Sequence, residues 1–237
     1  MCVKVLMAPS HECQRYVRSP SVGPLSTLLC LSTFLCAFAH TARTTHAHRY
    51  SQRVRQEVYR LHRHASGVVF PDGGWALGDL RNATFCLCPS GWGFGWRVYL
   101  ALVALCIPVI IQPMIEQAFH DLLPYDGLAL HYRLADVRRL PDLLRAVPSS
   151  RVCALRAAAA KYYRTVMWQQ PDGLAYEMTL LSLCRRAVAL HRRLSPGKAL
   201  PAWARCEQLS AEQLLGIAVS NATAAATPAK ALNPHSR

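Results

Sequence analysis

The residues best placed to do chemistry lie between positions 85 and 121. The segment PSGWGFGWR sets Ser90, Gly91, Gly93, Gly95 and Arg97 directly after an apolar run, FCLC. Glycines there let the backbone approach a ligand closely and adopt positive φ. Ser90 adds a hydroxyl, and Arg97 adds a permanent cation whose forked geometry suits a diphosphate. The spacing G-x-G-x-G differs from the dinucleotide fingerprint G-x-G-x-x-G, and no P-loop G-K-[ST] occurs. A glycine turn serving only tight strand–helix packing would read the same way. Farther on, Glu116, His120 and Asp121 follow a second apolar run, CIPVII. Glu116 is the candidate catalytic carboxylate: it could accept hydrogen bonds from sugar or ribose hydroxyls or act as a general base. It could equally be a solvated residue favoured by a helix dipole. His120 and Asp121 read as structural. No D-x-D occurs anywhere, so no metal site is expected on a diphosphate, and Arg97 with a helix N-terminus would have to neutralise it.

Those residues need elements to hold them. The pattern predicts a buried strand over residues 85–88, a glycine-rich turn over 89–95, a helix over 96–105 and a second buried strand over 106–111. Strand, turn, helix and strand in so short a span is the βαβ unit of a parallel sheet. Its crossover brings the turn and the helix N-terminus to the carboxyl end of the first strand, where open α/β sheets bind ligands.

Upstream, residues 25–39 form an apolar run of 15 residues. As a helix it would span roughly 22 Å, against a hydrocarbon core of about 30 Å. An interior strand is one reading. A signal peptide is another, with Lys4, Arg15 and Arg18 ahead of it and Ala37 and Ala39 forming an A-x-A site. In YSQRVRQEVYRLHRH the residues Val54, Val58 and Leu61 mark one face of a short helix whose other faces carry Arg and His. Those faces read as solvated, although His46, His48, His62 and His64 could be imagined as metal ligands.

Downstream, the pattern predicts a short helix over 116–123, a brief strand over 128–132 and a helix over 135–147. That last helix has Val137, Leu140, Leu144 and Val147 on one face. An Ala-rich helix then starts with Ser149 or Ser150 as its N-cap, and a further helix covers 174–194. A weak helix near 211–219 and a disordered tail from about residue 220 complete the expectation. Alternating strands and helices imply an α/β domain with helices on a mostly parallel sheet.

The chain carries 27 Lys and Arg against 13 Asp and Glu, which implies an anionic partner. No zinc-finger, homeodomain or RRM signature appears, so nucleic acid is not expected. None of the ten cysteines forms C-x-x-C. Most, like Cys106, sit in apolar runs where a thiol behaves as a small hydrophobe, with disulfides open to a lumenal protein. Asn82 and Asn221 head N-glycosylation sequons.

The motifs FCLCPSGWGFGWR, ALCIPVII and EQAFHDLLPY resemble the exostosin-type glycosyltransferases, glycosyltransferase family 47. That family's pattern runs F-C-L-x-P-x-G, a Gly/Ser-rich turn and Arg, then G-C-I-P-V-I, then E-x-P-F-x-D-x-L. YSQRVRQEVYRL is similar to its Y-S-x-G-[VI]-R. The resemblance implies the Rossmann-like C-terminal half of a GT-B fold, with the N-terminal domain missing or truncated. It divides the chain into a truncated N-terminal segment (1–65), a nucleotide-sugar-binding domain (66–195) and a weakly structured tail (196–237). It also implies inverting transfer from a nucleotide sugar, expected to be UDP-linked, to a glycan or glycoprotein acceptor. No other cofactor is expected. Membrane association on the lumenal side of the Golgi follows from the same resemblance. Ser90, Gly91, Gly95 and Arg97 fall in its diphosphate loop, with Gly93 between them, and Glu116 matches its acidic donor-facing residue. Four positions depart from the pattern: Ala118 stands for Pro, His120 and Leu100 for residues often acidic, and Leu105 for the small residue before Cys-Ile-Pro. Two other readings stand beside this one: a catalytically inactive remnant that binds glycans or partners through its basic face, and a peripheral membrane-binding protein.

Overall fold

The computed structural model describes residues 33–36, 50–70, 80–91 and 96–216. The expected glycine positions 93 and 95, His46, His48, Asn221 and the tail from residue 220 lie outside them. Five strands form one all-parallel sheet: β1 (Thr33–Cys36), β2 (Val68–Val69), β3 (Ala83–Pro89), β4 (Ile107–Ile111) and β5 (Leu130–His131). Their order is β2-β1-β3-β4-β5, that of a doubly wound sheet whose direction of winding switches between β1 and β3. The helices are α1 (Val54–His62), α2 (Trp96–Val103), α3 (Tyr125–Leu128), α4 (Leu140–Arg145), α5 (Ser149–Tyr162) and α6 (Ala175–Leu194). The strand reading of the first apolar run holds for Thr33–Cys36, which pairs with both β2 and β3.

β3 and β4 are buried along nearly their whole length, as strands covered on both faces must be. Their register sets Phe85 against Ile107 and Pro89 against Ile111. Alternation then divides the side chains. Phe85, Leu87, Ile107, Val109 and Ile111 pack on one face with Val54 and Val58 of α1 and Leu140 and Leu144 of α4. Cys86, Cys88 and Ile110 face the other way, against Val98 and Leu102 of α2, Ala159 and Tyr162 of α5 and Met178 of α6. Helices therefore cover both faces of the sheet.

Cys86 and Cys106 are disulfide-bonded, with Cα atoms 5.8 Å apart, and so are Cys184 and Cys206. This corrects the reading of Cys106 as an apolar filler: in apolar surroundings its sulfur is close enough to Cys86 to cross-link β3 to the start of β4. Cys88 keeps its thiol, which donates to the carbonyl of Cys86 at 3.3 Å.

Several local expectations change. Residues 116–123 form successive turns, not a helix, because Met114 and Phe119 sit at φ 66° and 56° and break the right-handed course. The strand expected over 128–132 shrinks to Leu130–His131 behind α3. The helix over 135–147 becomes a 3₁₀ segment, Leu134–Arg139, followed by α4. Pro141 has no N–H to give a continuous helix, but fits the first turn of a new one. Pro148 stands at the N-cap of α5, so neither Ser149 nor Ser150 caps it. The basic helix is not wholly solvated: Arg55 and His62 are buried, and Nε2 of His62 donates to the Val137 carbonyl at 2.7 Å. Among the described residues no helix is long and apolar enough to cross a membrane.

Candidate functional site

The site lies at the carboxyl ends of β3, β4 and β5. Immediately after β3, the N–H of Ser90 donates to Ile111 at 3.2 Å, carrying the ladder one residue past the strand. Immediately after β4 comes Gln112, a buried amide. Its Nε2 donates to the carbonyls of Cys88 at 3.1 Å and Pro89 at 3.4 Å. Its Oε1 accepts from Nε2 of Gln117 at 3.0 Å. One side chain thus ties the end of β3 to the turns that carry Glu116.

The Ser90 hydroxyl is 2% exposed as a residue and has no hydrogen-bond partner among the described residues. A buried unpaired hydroxyl costs about 1–3 kcal/mol, so its position calls for a ligand or ordered water. Gly91 follows it, half-buried. Arg97 is half-buried in the first turn of α2. Trp96 precedes it, 61% exposed, its ring 4.9 Å from that of Tyr99.

Beside this edge a cleft of about 370 Å³ opens between the turns after β4 and the end of β5, lined by Gln112, Glu116, Gln117, His120, Tyr125 and His131 among others. Glu116 projects into solvent, and its Oε2 lies 3.4 Å from Nε2 of His120. The Tyr125 hydroxyl donates to the Ala118 carbonyl at 2.9 Å, pinning the turn at the position where the family pattern has Pro. Burial, and secondarily the neighbouring Cys88, push the Tyr125 pKa up, so its phenol stays a neutral donor. Asp121 turns away from the cleft to accept from the Ser182 hydroxyl of α6 at 3.2 Å, a structural contact.

Of the expected residues, Ser90, Gly91 and Glu116 come to one sheet edge, but only Glu116 lines the cleft; Ser90, Gly91 and Arg97 do not. Among the described residues no three His, Cys, Asp or Glu side chains gather as a metal site would require. Asn82 is exposed in the turn before β3. Gln112, Gln117, Tyr125 and His131 escaped the sequence reading. A polar residue abutting the all-apolar CIPVII was the available signal for Gln112.

Residues 33–147 match the Exostosin GT47 domain. The chain is 32% identical over 133 residues to a probable glucuronosyltransferase, GUT1, of Oryza sativa subsp. japonica, covering 53% of this chain and 31% of the relative. It is 32% identical over 113 residues to the probable beta-1,4-xylosyltransferase IRX10 of Arabidopsis thaliana, covering 46% and 27%. Its likeness to IRX10L of the same plant is 31% over 133 residues, covering 53% and 32%. The chain therefore spans about a third of the length of these curated relatives. The matched stretch holds every strand of the sheet and the whole cleft, and through it the chain is similar to the exostosin GT47 family.

Proposed function

We propose that this chain forms the donor side of a glycosyltransferase, holding a UDP-sugar at the carboxyl ends of β3 and β4 for transfer to a glycan or glycoprotein. The acceptor hydroxyl attacks the anomeric carbon from the face opposite the diphosphate. The C–O bond to phosphate breaks, the nucleoside diphosphate departs, the acceptor proton passes to a base, and configuration inverts. Charge on the departing diphosphate falls to Arg97 and the N-terminal end of α2, and no metal is assigned. Ser90 and Gly91 would contact phosphate oxygens. Glu116 would accept from sugar or ribose hydroxyls, and it is also the carboxylate at hand to serve as the base.

One observation carries this reading: the end of β3 that leads into Ser90 and the turn of Glu116, remote in sequence, are tied through Gln112 at the same edge of a doubly wound sheet. The relatives' names favour transfer over the inactive-remnant reading, and they suggest a glucuronosyl or xylosyl group. Disulfides at Cys86 with Cys106 and at Cys184 with Cys206 support an oxidising, lumenal compartment such as the Golgi.

The test is calorimetry with UDP, UDP-glucuronate and UDP-xylose. A Kd below about 1 mM is expected, weakened about tenfold, or 1.4 kcal/mol, by Arg97→Ala. Failure of every nucleoside diphosphate to bind would end the proposal.

A further inference from the structure

Helix α6 packs on the body through Ala175, Met178, Leu181 and Val188. Its opposite side carries a second apolar series. Tyr176, Leu180, Leu183, Leu190 and Leu194 are 58, 50, 59, 46 and 74% exposed, and Ala187, also exposed, fills the remaining place. The steps between successive members are 4, 3, 4, 3 and 4. That is a strict heptad seam, with Leu180, Ala187 and Leu194 at one core position and Tyr176, Leu183 and Leu190 at the other. Such a seam is narrower than the broad apolar face that a helix lying on a lipid surface needs.

The flanks decide what fits it. Arg186 and Arg193, both exposed, stand beside the seam in successive heptads, with His191 on the other side. Between residues 178 and 206 there are six Lys or Arg and no acid. Among the six flanking places, Glu177 at the helix start is the one carboxylate. A second copy would therefore set Arg186 and Arg193 against Arg, His or uncharged residues in either orientation, which disfavours self-pairing. The 3₁₀ segment Ala202–Gln208, tied to α6 by the disulfide of Cys184 with Cys206, holds the helix in place and exposes Trp203.

We infer that this face of α6 is a docking surface for a partner helix with an apolar heptad seam and Asp or Glu along its flanks. It is distinct from the donor site and needs no nucleotide. Recognition is by knobs entering the Leu183–Leu190 seam, with the two arginines selecting acidic flanks and setting register.

The test uses the full chain and two synthetic three-heptad peptides with Leu at both seam positions, one flanked by Glu and one by Lys, followed by fluorescence anisotropy at low and high salt. The Glu-flanked peptide should bind in the micromolar range, at least about tenfold more tightly than the Lys-flanked one, and more weakly at high salt. Leu183→Gln with Leu190→Gln should abolish binding. Both positions are exposed, so unchanged circular dichroism checks that the variant still folds. Arg186→Glu with Arg193→Glu should reverse the preference between the peptides, an outcome that loss of folding could not produce. No binding, or equal binding of both peptides, would overturn the proposal. So would a dimer of the chain that the Leu variant dissociates, or capture by anionic phosphatidylserine vesicles without peptide binding.

Discussion

The disulfide between Cys86 and Cys106 encloses the entire candidate donor loop, from the end of β3 through Ser90 and Arg97 to the start of β4. Its two cysteines are 20 residues apart in sequence. Closing a loop of that length removes roughly 11 cal/mol/K from the unfolded chain, or about 3 kcal/mol at 25 °C. Against a usual total of about 5–15 kcal/mol this is a large share, and in a chain of this size it corresponds to roughly 6–12 °C in Tm. Cys86→Ala and Cys106→Ala each remove the same bond. Each should lower the urea-derived unfolding free energy by about 3 kcal/mol, and the double variant should fall within about 1 kcal/mol of either single one, far short of their sum. Both cysteines are buried, so the excess over the entropic figure reports the packing lost with each sulfur. Calorimetry on the same proteins should show UDP binding weakened more than in Leu155→Ala, a core truncation beyond the loop. Single variants that add in the double, or that each cost under about 1 kcal/mol, would refute the cross-link and the enclosure of the loop with it.

Three further outcomes follow from other residues. Gln112→Leu leaves Gln117 and the carbonyls of Cys88 and Pro89 without the amide they share. It should cost about 2–3 kcal/mol in chemical denaturation and weaken UDP binding beyond what the wild-type protein shows at matched folded fraction. Leu105 sits at φ 57° where the family pattern has Gly, so Leu105→Gly should be more stable than Leu105→Ala by about 1 kcal/mol in thermal melts, the reverse of the order in a helix. Glu212 accepts from the Tyr162 hydroxyl, which itself accepts from Lys161 at 3.0 Å; the Tyr162 bond, with help from its own backbone, Ser210 and Lys161, holds the Glu212 pKa below its ordinary 4.5. Its contribution is therefore full above that value and fades as pH falls through the lowered one. The stability difference between the wild type and Glu212→Gln should shrink between neutral pH and strong acid.

The parts of this protein that could be read from sequence are those in which local pattern and burial agree. β3 and β4 are short apolar runs bounded by turn residues, α1 repeats its apolar residues with helical period, and together these patterns specify an α/β fold. The candidate residues Ser90, Gly91, Arg97 and Glu116 stand out in the sequence by type and by their place after apolar strands, and Ser90, Gly91 and Glu116 lie at one edge of the sheet. What stayed hidden depends on contacts remote in sequence or on backbone states that composition does not encode. The turns at 116–123 look helical until Met114 and Phe119 adopt positive φ. Gln112 matters only because parallel pairing brings Cys88 and Pro89 beside it.

The bond of Cys106 and the outward leucines of α6 are hard to read from sequence for a common reason: an apolar residue is by default assigned to the core. Cys106 is in the core but bonded, and Leu183 and Leu190 are not in the core at all. In α6 two apolar series share one helix, and their sum blurs any single periodicity, so the outward seam becomes visible only once the inward one has been assigned to the sheet. That ordering is physical. Met178, Leu181 and Val188 are already buried within this chain and cannot serve anything outside it, whereas the seam of Leu180, Leu183, Leu190 and Leu194 remains exposed to water. About 25 cal/mol per Å² of apolar surface favours covering it. The adjacent arginines make that gain depend on the charge of whatever arrives, so the same face that attracts an acidic helix also keeps two copies of the chain apart.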